Sequence, residues 1–203
     1  QLAWPNALAL DSNQRLHGFI MPKLDLAKTL DLQWLLSPYK LRKSKHLPES
    51  YLLRLYAARN LAVVISSLHK VGHHVIDMKP PNISFYRDVM YVAMLDCDGF
   101  SIAGIRNQRW PGLQYTPEYI SPEALRKSLK PSQLDEIQDR FAMAVIIFKL
   151  MNDNLHPYQG LPISSNIPSD LDSRIKLNMY AYSSKGSAKQ SPMKQSIHHY
   201  FDD

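Results

Sequence analysis

Residues 49–71, ESYLLRLYAARNLAVVISSLHKV, constrain the fold of this chain more than any other stretch. Leu53, Ala57, Leu61, Val64 and Leu68 recur at helical spacing. So does a second series, Leu52, Leu55, Tyr56, Arg59, Val63, Ser66 and Ser67. Two largely apolar faces predict a long helix at the centre of the molecule. Gly72 follows as its expected C-terminal cap. QLDEIQDRFAMAVIIFKLM at 133–151 predicts a second buried helix. Its apolar run, 141–151, is too short to span a membrane and is broken by Lys149.

The remaining chain is organised around these two helices. LAWPNALAL and LHGFIMPKL read as short strands flanking the turn-forming DSNQ, with Pro22 ending the second. Residues 25–37 predict a short helix, and 38–48 a basic, proline-flanked loop. ISFYRDVMYVAML at 83–95 predicts a hairpin turning at Arg87 and Asp88. Residues 101–123 show no periodicity and read as a long functional loop. Residues 183–195, rich in Ser and Lys, are expected to be flexible.

With 203 residues, 45% of them hydrophobic, the chain can bury the core of one domain or one large lobe. Its single cysteine, Cys97, cannot form an internal disulfide, which fits a reducing, cytoplasmic location. The chain starts at Gln1 with no charged-then-apolar signal region, so further sequence upstream is expected. The net charge of +6 draws on KLRKSKH at 40–46 and RKSLK at 126–130. These clusters read first as solvated surface. A face for nucleic acid or an acidic partner is the alternative, and the clusters lack the interleaved aromatics that stacking a nucleic-acid strand needs.

The chemistry concentrates in HHVIDMKPPN at 73–82. In an extended loop, residues two apart point the same way, so Asp77 and Lys79 can face one substrate. Pro80 and Pro81 remove two backbone donors and stiffen the approach to Asn82. The neutral carbonyl of Asn82 can ligate a cation without adding charge. The hairpin returns Asp96 beside it as a second oxygen ligand. A carboxylate for a hydroxyl, an ammonium for a phosphate and oxygens for a metal suit phosphoryl transfer, which needs positioning and charge neutralisation. The same residues taken singly would make an ordinary polar turn. His73 and His74 are neighbours and cannot share a face as metal ligands. Cys97, between two carboxylates, is not expected to be an activated thiolate. Trp4, Trp34 and Trp110 read as packing residues.

DMKPPN resembles the catalytic loop of the protein kinases. Four later segments are similar in order. MLDCD stands in the place of the metal-binding D-F-G. YTPEYISPE at 115–123 resembles the end of an activation segment. DRFAMAVIIFKLM resembles the buried helix after it, with Asp139 tying the catalytic loop's backbone, and HPYQG resembles the turn beyond. The likeness runs from residue 1 to about 182 and is nearest to a bacterial kinase-like group that often carries helix-hairpin-helix modules.

The resemblance implies an α+β, protein kinase-like fold. Residues 1–24 would be the end of a small lobe and the hinge, and 25–203 a mainly α-helical large lobe. It implies ATP- and Mg²⁺-dependent phosphorylation of a Ser or Thr hydroxyl on a protein substrate. Asp77 would orient the hydroxyl or accept its proton, and Lys79 would contact phosphate. Asn82 and Asp96 would hold Mg²⁺. Met21 would be the gatekeeper, with adenine bonded to the Pro22 carbonyl and the Leu24 backbone. Glu123 would pair with an Arg from the last helices. This chain departs from the pattern at several points. Val75 and Ile76 replace His-Arg before Asp77, so control by a phosphorylated activation loop is not expected. Cys97 and Asp98 replace Phe and Gly, and Ser84 lies where an apolar residue floors the adenine. No Gly-rich loop or third-strand Lys is visible, which implies further domains or a partner supplying the rest of the small lobe. A pseudokinase that binds nucleotide or acts as a scaffold is the corresponding alternative.

Overall fold

The computed structural model describes residues 3–47, 49–183 and 189–198. Two strands, β1 (Ala7–Leu10) and β2 (Leu16–Ile20), pair antiparallel across the Asp11–Gln14 turn. The Asp11 carboxylate closes that turn by accepting the N–H groups of Asn13 and Arg15. β2 stops before Pro22, as a residue without a ladder donor requires.

The 25–37 stretch is not one helix. It holds a strand, β3 (Thr29–Asp31), and then a single helical turn, α1 (Gln33–Leu36). The expected loop at 38–48 is also corrected. Pro38 starts a short helix, α2 (Tyr39–Ser44). A proline sets the helical φ where its missing N–H costs nothing, and the run YKLRKS that follows contains no helix breaker. Arg42 turns inward from α2 and is buried, with its guanidinium on Glu49 at 2.9 Å and on the Ser37 carbonyl.

The long helix, α3 (Tyr51–Lys70), forms where its periodicity predicts. Among the described residues only one of its apolar faces is covered. Ala57, Ala58, Leu61, Ile65 and Leu68 are buried, whereas Leu52, Leu55, Tyr56 and Val63 are about half exposed. The second helix spans Glu136–Met151 and is preceded by a 3-10 turn at 131–133. The two long helices pack together, and Leu61, Ile65, Ala142, Val145 and Ile146 make the centre of the core.

After α3 come β4 (Ile83–Tyr86) and β5 (Val92–Met94), the expected hairpin. β3 joins its other edge, in the order β3-β4-β5. Phe85, Val92 and Met94 of this sheet are buried against the helical core. Residues 101–123 are not one irregular loop: β6 (Ile102–Ala103) pairs with β7 (Arg109–Trp110), and α4 begins at Pro122 (Pro122–Arg126). The Glu136–Met151 helix, α5, leads to β8 (Gly160–Pro162), α6 (Leu171–Lys176) and β9 (Gln190–Pro192). β9 corrects the expectation of flexibility across 183–195. It pairs with β8, and Gln190 is fully buried. Residues 184–188 of that stretch lie outside the described residues. The composition is thus mixed α and β, 38% helical and 16% strand.

Candidate active site

α3 delivers the chain to the site. Gly72 caps the helix at φ +79°, a conformation that L side chains rarely adopt. His73 stacks on Trp4, 6.0 Å between ring centroids, and its Nδ1 accepts the Ala103 N–H. His74 pairs through its backbone with Ser101. The two histidines therefore serve different neighbours.

The next three residues are clamped. Asp139, fully buried in the first turn of α5, accepts the N–H of Val75 at 2.7 Å and of Ile76 at 2.8 Å. His69 Nε2 meets the same carboxylate at 2.9 Å. The chain then makes a tight turn, with Asp77 N–H on the Val75 carbonyl and Ile76 at φ +62°. A β-branched residue in that region costs about 1–3 kcal/mol. The Asp139 bonds and the packing of Ile76 with Ile120, Ala124 and Leu134 hold it there. Gly112 passes so close that an added Cβ would sit 2.9 Å from the Gly99 carbonyl oxygen and 3.0 Å from Ile76.

This turn aims Asp77 at two partners. Lys79 Nζ donates to its Oδ2 at 2.7 Å, and Thr116 Oγ1 donates to its Oδ1 at 2.7 Å. Lys79 and Thr116 are themselves 3.1 Å apart. Both carboxylate oxygens are thus engaged while Asp77 is only 5% exposed, so its direction is fixed. Thr116 is the residue that sequence reasoning missed. It lies inside YTPEYISPE, but nothing in that stretch says which side chain crosses 39 positions to reach Asp77.

The oxygen donors gather beside this group. The 3-10 turn Pro80–Asn82 follows directly on Lys79. Asn82 Nδ2 donates to the Asp77 carbonyl at 3.3 Å and to Asp96 Oδ2 at 3.4 Å. Its amide nitrogen thus works inside the protein, and the oxygen is the atom left for a ligand. Asp96 takes a left-handed conformation, φ +55°, at the end of the hairpin. Its carboxyl is held above the usual carboxylate range, chiefly by a hydrogen bond with Asp98, then by burial and the charge of Asp98. Carboxyl oxygens beside an amide oxygen are hard donors of the kind that could hold Mg²⁺. Among the described residues no three His, Cys, Asp or Glu side chains form a metal cluster of their own. A cation here would share Asn82, Asp96 and oxygens from its substrate.

Met21 and Asp96 line one cavity of about 520 Å³ with Trp4, Phe19, Leu95 and Cys97. Pro22 and Leu24 lie outside that lining. Ser84 is buried within β4, opposite Ala93 of β5. Burial first, and then Asp96 and Asp98, push the Cys97 thiol up to about 11, so it stays protonated near neutrality. Glu123 pairs with Arg126 one turn along α4, in solvent, rather than with an Arg from a later helix. Trp110 is half exposed, unlike Trp4 and Trp34, which pack on the core.

A buried carboxylate bonded to an ammonium and a hydroxyl, with further oxygen atoms adjoining, has the groups that transfer chemistry on an anionic substrate would need. Comparison with known proteins points the same way. The chain is 30% identical over 195 residues to "Protein kinase YegI" of Escherichia coli strain K12, an alignment covering 90% of this chain. It is 29% identical to the protein of the same name in Escherichia coli O157:H7. The chain spans 28% of the length of these relatives. No family model matches.

Proposed function

We propose that the chain is the kinase-like part of a protein that transfers the γ-phosphate of ATP to a Ser or Thr hydroxyl of a protein substrate. The observation that carries this reading is the triangle of Asp77, Lys79 and Thr116, with Asn82 and Asp96 at its edge. The order of kinase-like segments and the names of the relatives support it.

In this reading Asp77 orients the attacking hydroxyl and takes its proton as the new bond forms. Lys79, already 2.7 Å from Asp77, moves its ammonium to the transferred phosphate as charge develops there. Thr116 holds Asp77 in place while Lys79 is so engaged. Asn82 and Asp96 would hold Mg²⁺, which supplies charge neutralisation for the phosphates. Met21 and Phe19 would border the nucleotide, with the Pro22 carbonyl and the Leu24 backbone as the expected adenine contacts. The β1–β2 hairpin exposes Leu8, Leu16, Phe19 and Ile20, each more than half to solvent. Such a surface fits cover by further strands of a small lobe, from the same protein or a partner.

The test is transfer of radiolabelled γ-phosphate by the full-length protein, with Asp77→Asn as control. A loss of at least about a hundredfold in the variant is expected, as for removal of a general base. Transfer that survives Asp77→Asn would overturn the assignment of Asp77. ATP binding without transfer by the wild type would identify a nucleotide-binding module instead.

A further inference from the structure

A cavity of about 510 Å³ adjoins the catalytic loop and is distinct from the one bordered by Met21. Pro80 and Pro81 form part of its wall, directly after Lys79. Tyr119, three residues beyond Thr116, forms another part, and Trp34 and Ser37 close the side nearest α2. Both segments that hold Asp77 therefore continue into this cavity.

Lys149 of α5 reaches the cavity from the core side. Its side chain is 12% exposed. The ammonium donates to the Tyr119 hydroxyl at 3.1 Å and lies over that ring, 5.3 Å from its centroid. The nearest carboxylate, Glu118, is 3.9 Å away and more than half exposed, too distant for a hydrogen bond and largely solvated. An ammonium has three donors, so this one keeps capacity for an anion. Burial holds its pKa below the ordinary lysine value, with Glu118 opposing. A second cation stands against the wall: Lys45 Nζ is 4.4 Å from the centroid of the Trp34 ring, which lines the cavity. Arg42 of α2 is already engaged with Glu49.

We propose that this cavity receives an acidic side chain of the protein substrate, with Lys149 as the specificity-determining cation. The inference rests on the phosphoryl-transfer reading, which places a protein hydroxyl at Asp77. A carboxylate entering the cavity would make a charge-assisted hydrogen bond to a desolvated ammonium, stronger than the same bond in water. Trp34, Pro80 and Pro81 give its methylene groups apolar walls. An Arg or Lys at that substrate position would meet like charge and be rejected.

The test uses the full-length protein and serine peptides in which each flanking position is in turn Glu, Arg or Ala. At one position near the serine, kcat/KM for Glu should exceed that for Ala about tenfold, with Arg below Ala, as one charged hydrogen bond implies. Lys149→Met should bring the Glu-to-Ala ratio to about one, and Lys149→Glu should invert it. Lys45→Gln, a change at a partly buried side chain outside the core, should reduce the ratio about twofold, with circular dichroism to confirm folding. Fluorescence anisotropy of the same labelled peptides reads binding independently of turnover. Glu-selective binding that disappears in Lys149→Met, without any phosphate transfer, would sink the enzyme reading and keep this one. Equal binding of Glu and Arg peptides, or a preference unchanged by both lysine variants, would overturn it.

Discussion

At the scale of single residues, the site depends on a hydroxyl that shares Asp77 with Lys79. Thr116 is held by segment 115–119, which the 3-10 turn at Pro117–Tyr119 anchors. Thr116→Ala removes one bond to the carboxylate and one to the ammonium. Lys79 keeps its own bond to Asp77, so the net loss is that of about one bond to a charged group, about 1.5–3 kcal/mol, and the proposed phosphate transfer should fall roughly tenfold to hundredfold. Thr116→Ser keeps the hydroxyl and should recover most of the rate. A kinetic comparison of the two variants, with circular dichroism to confirm folding, checks this. Asp77, Lys79, Asn82 and Asp96 were legible in the sequence because a loop of six residues and one hairpin bring them together. Thr116 and Lys149 were not, because their relevance comes from contacts across 39 and 30 positions.

At the scale of elements, α3 shows what periodicity can and cannot say. Both of its apolar faces were visible, but among the described residues only the Ala57–Leu61–Leu68 face is covered, by α5 and the sheet. Leu61→Ala should cost about 2–5 kcal/mol, while Leu52→Ala, at a half-exposed position, should stay within about 0.5 kcal/mol. Urea denaturation of the two variants tests the assignment. The turn after α5 carries a further consequence. His156 Nε2 donates to the Glu118 carbonyl, and its Nδ1 accepts the Tyr158 N–H, so the ring is neutral. Burial pushes its pKa down to about 4. The unfolded chain binds that proton below about 6.5, whereas the folded protein resists it until about 4. Stability from this group is therefore complete above pH 6.5 and falls as the pH drops towards 4. The loss is on the order of 3 kcal/mol. His156→Gln should flatten this part of the stability profile, measured as urea midpoints between pH 4 and 7. α2 was missed for a related reason. Its six residues carry charge without periodicity, and what stabilises it is the inward turn of Arg42 onto Glu49 and Ser37.

At the scale of the whole molecule, burial is unevenly distributed. The α3–α5 pair and β4–β5 hold most of the core, while the segment that leads into β1 touches it through Trp4 and the bond from Ala3 N–H to the Met94 carbonyl. Amides in 7–20 should thus exchange with solvent at least about tenfold faster than those in 57–68, measured by hydrogen exchange. Among the described residues no helix is long and apolar enough to cross a membrane. The local order of the chain was determined by the sequence alone: two long helices, a hairpin between them, and an Asp, a Lys and an Asn on the loop that joins them. These follow from spacing, capping and turn chemistry, which act over a few residues. Tertiary structure decided which face of α3 is buried, that Asp139 would hold Ile76 in a left-handed turn, and that Thr116 and Lys149 would stand beside that loop. Those outcomes depend on which distant surfaces meet, and a side chain's partner across the fold leaves no periodic trace in the residues around it.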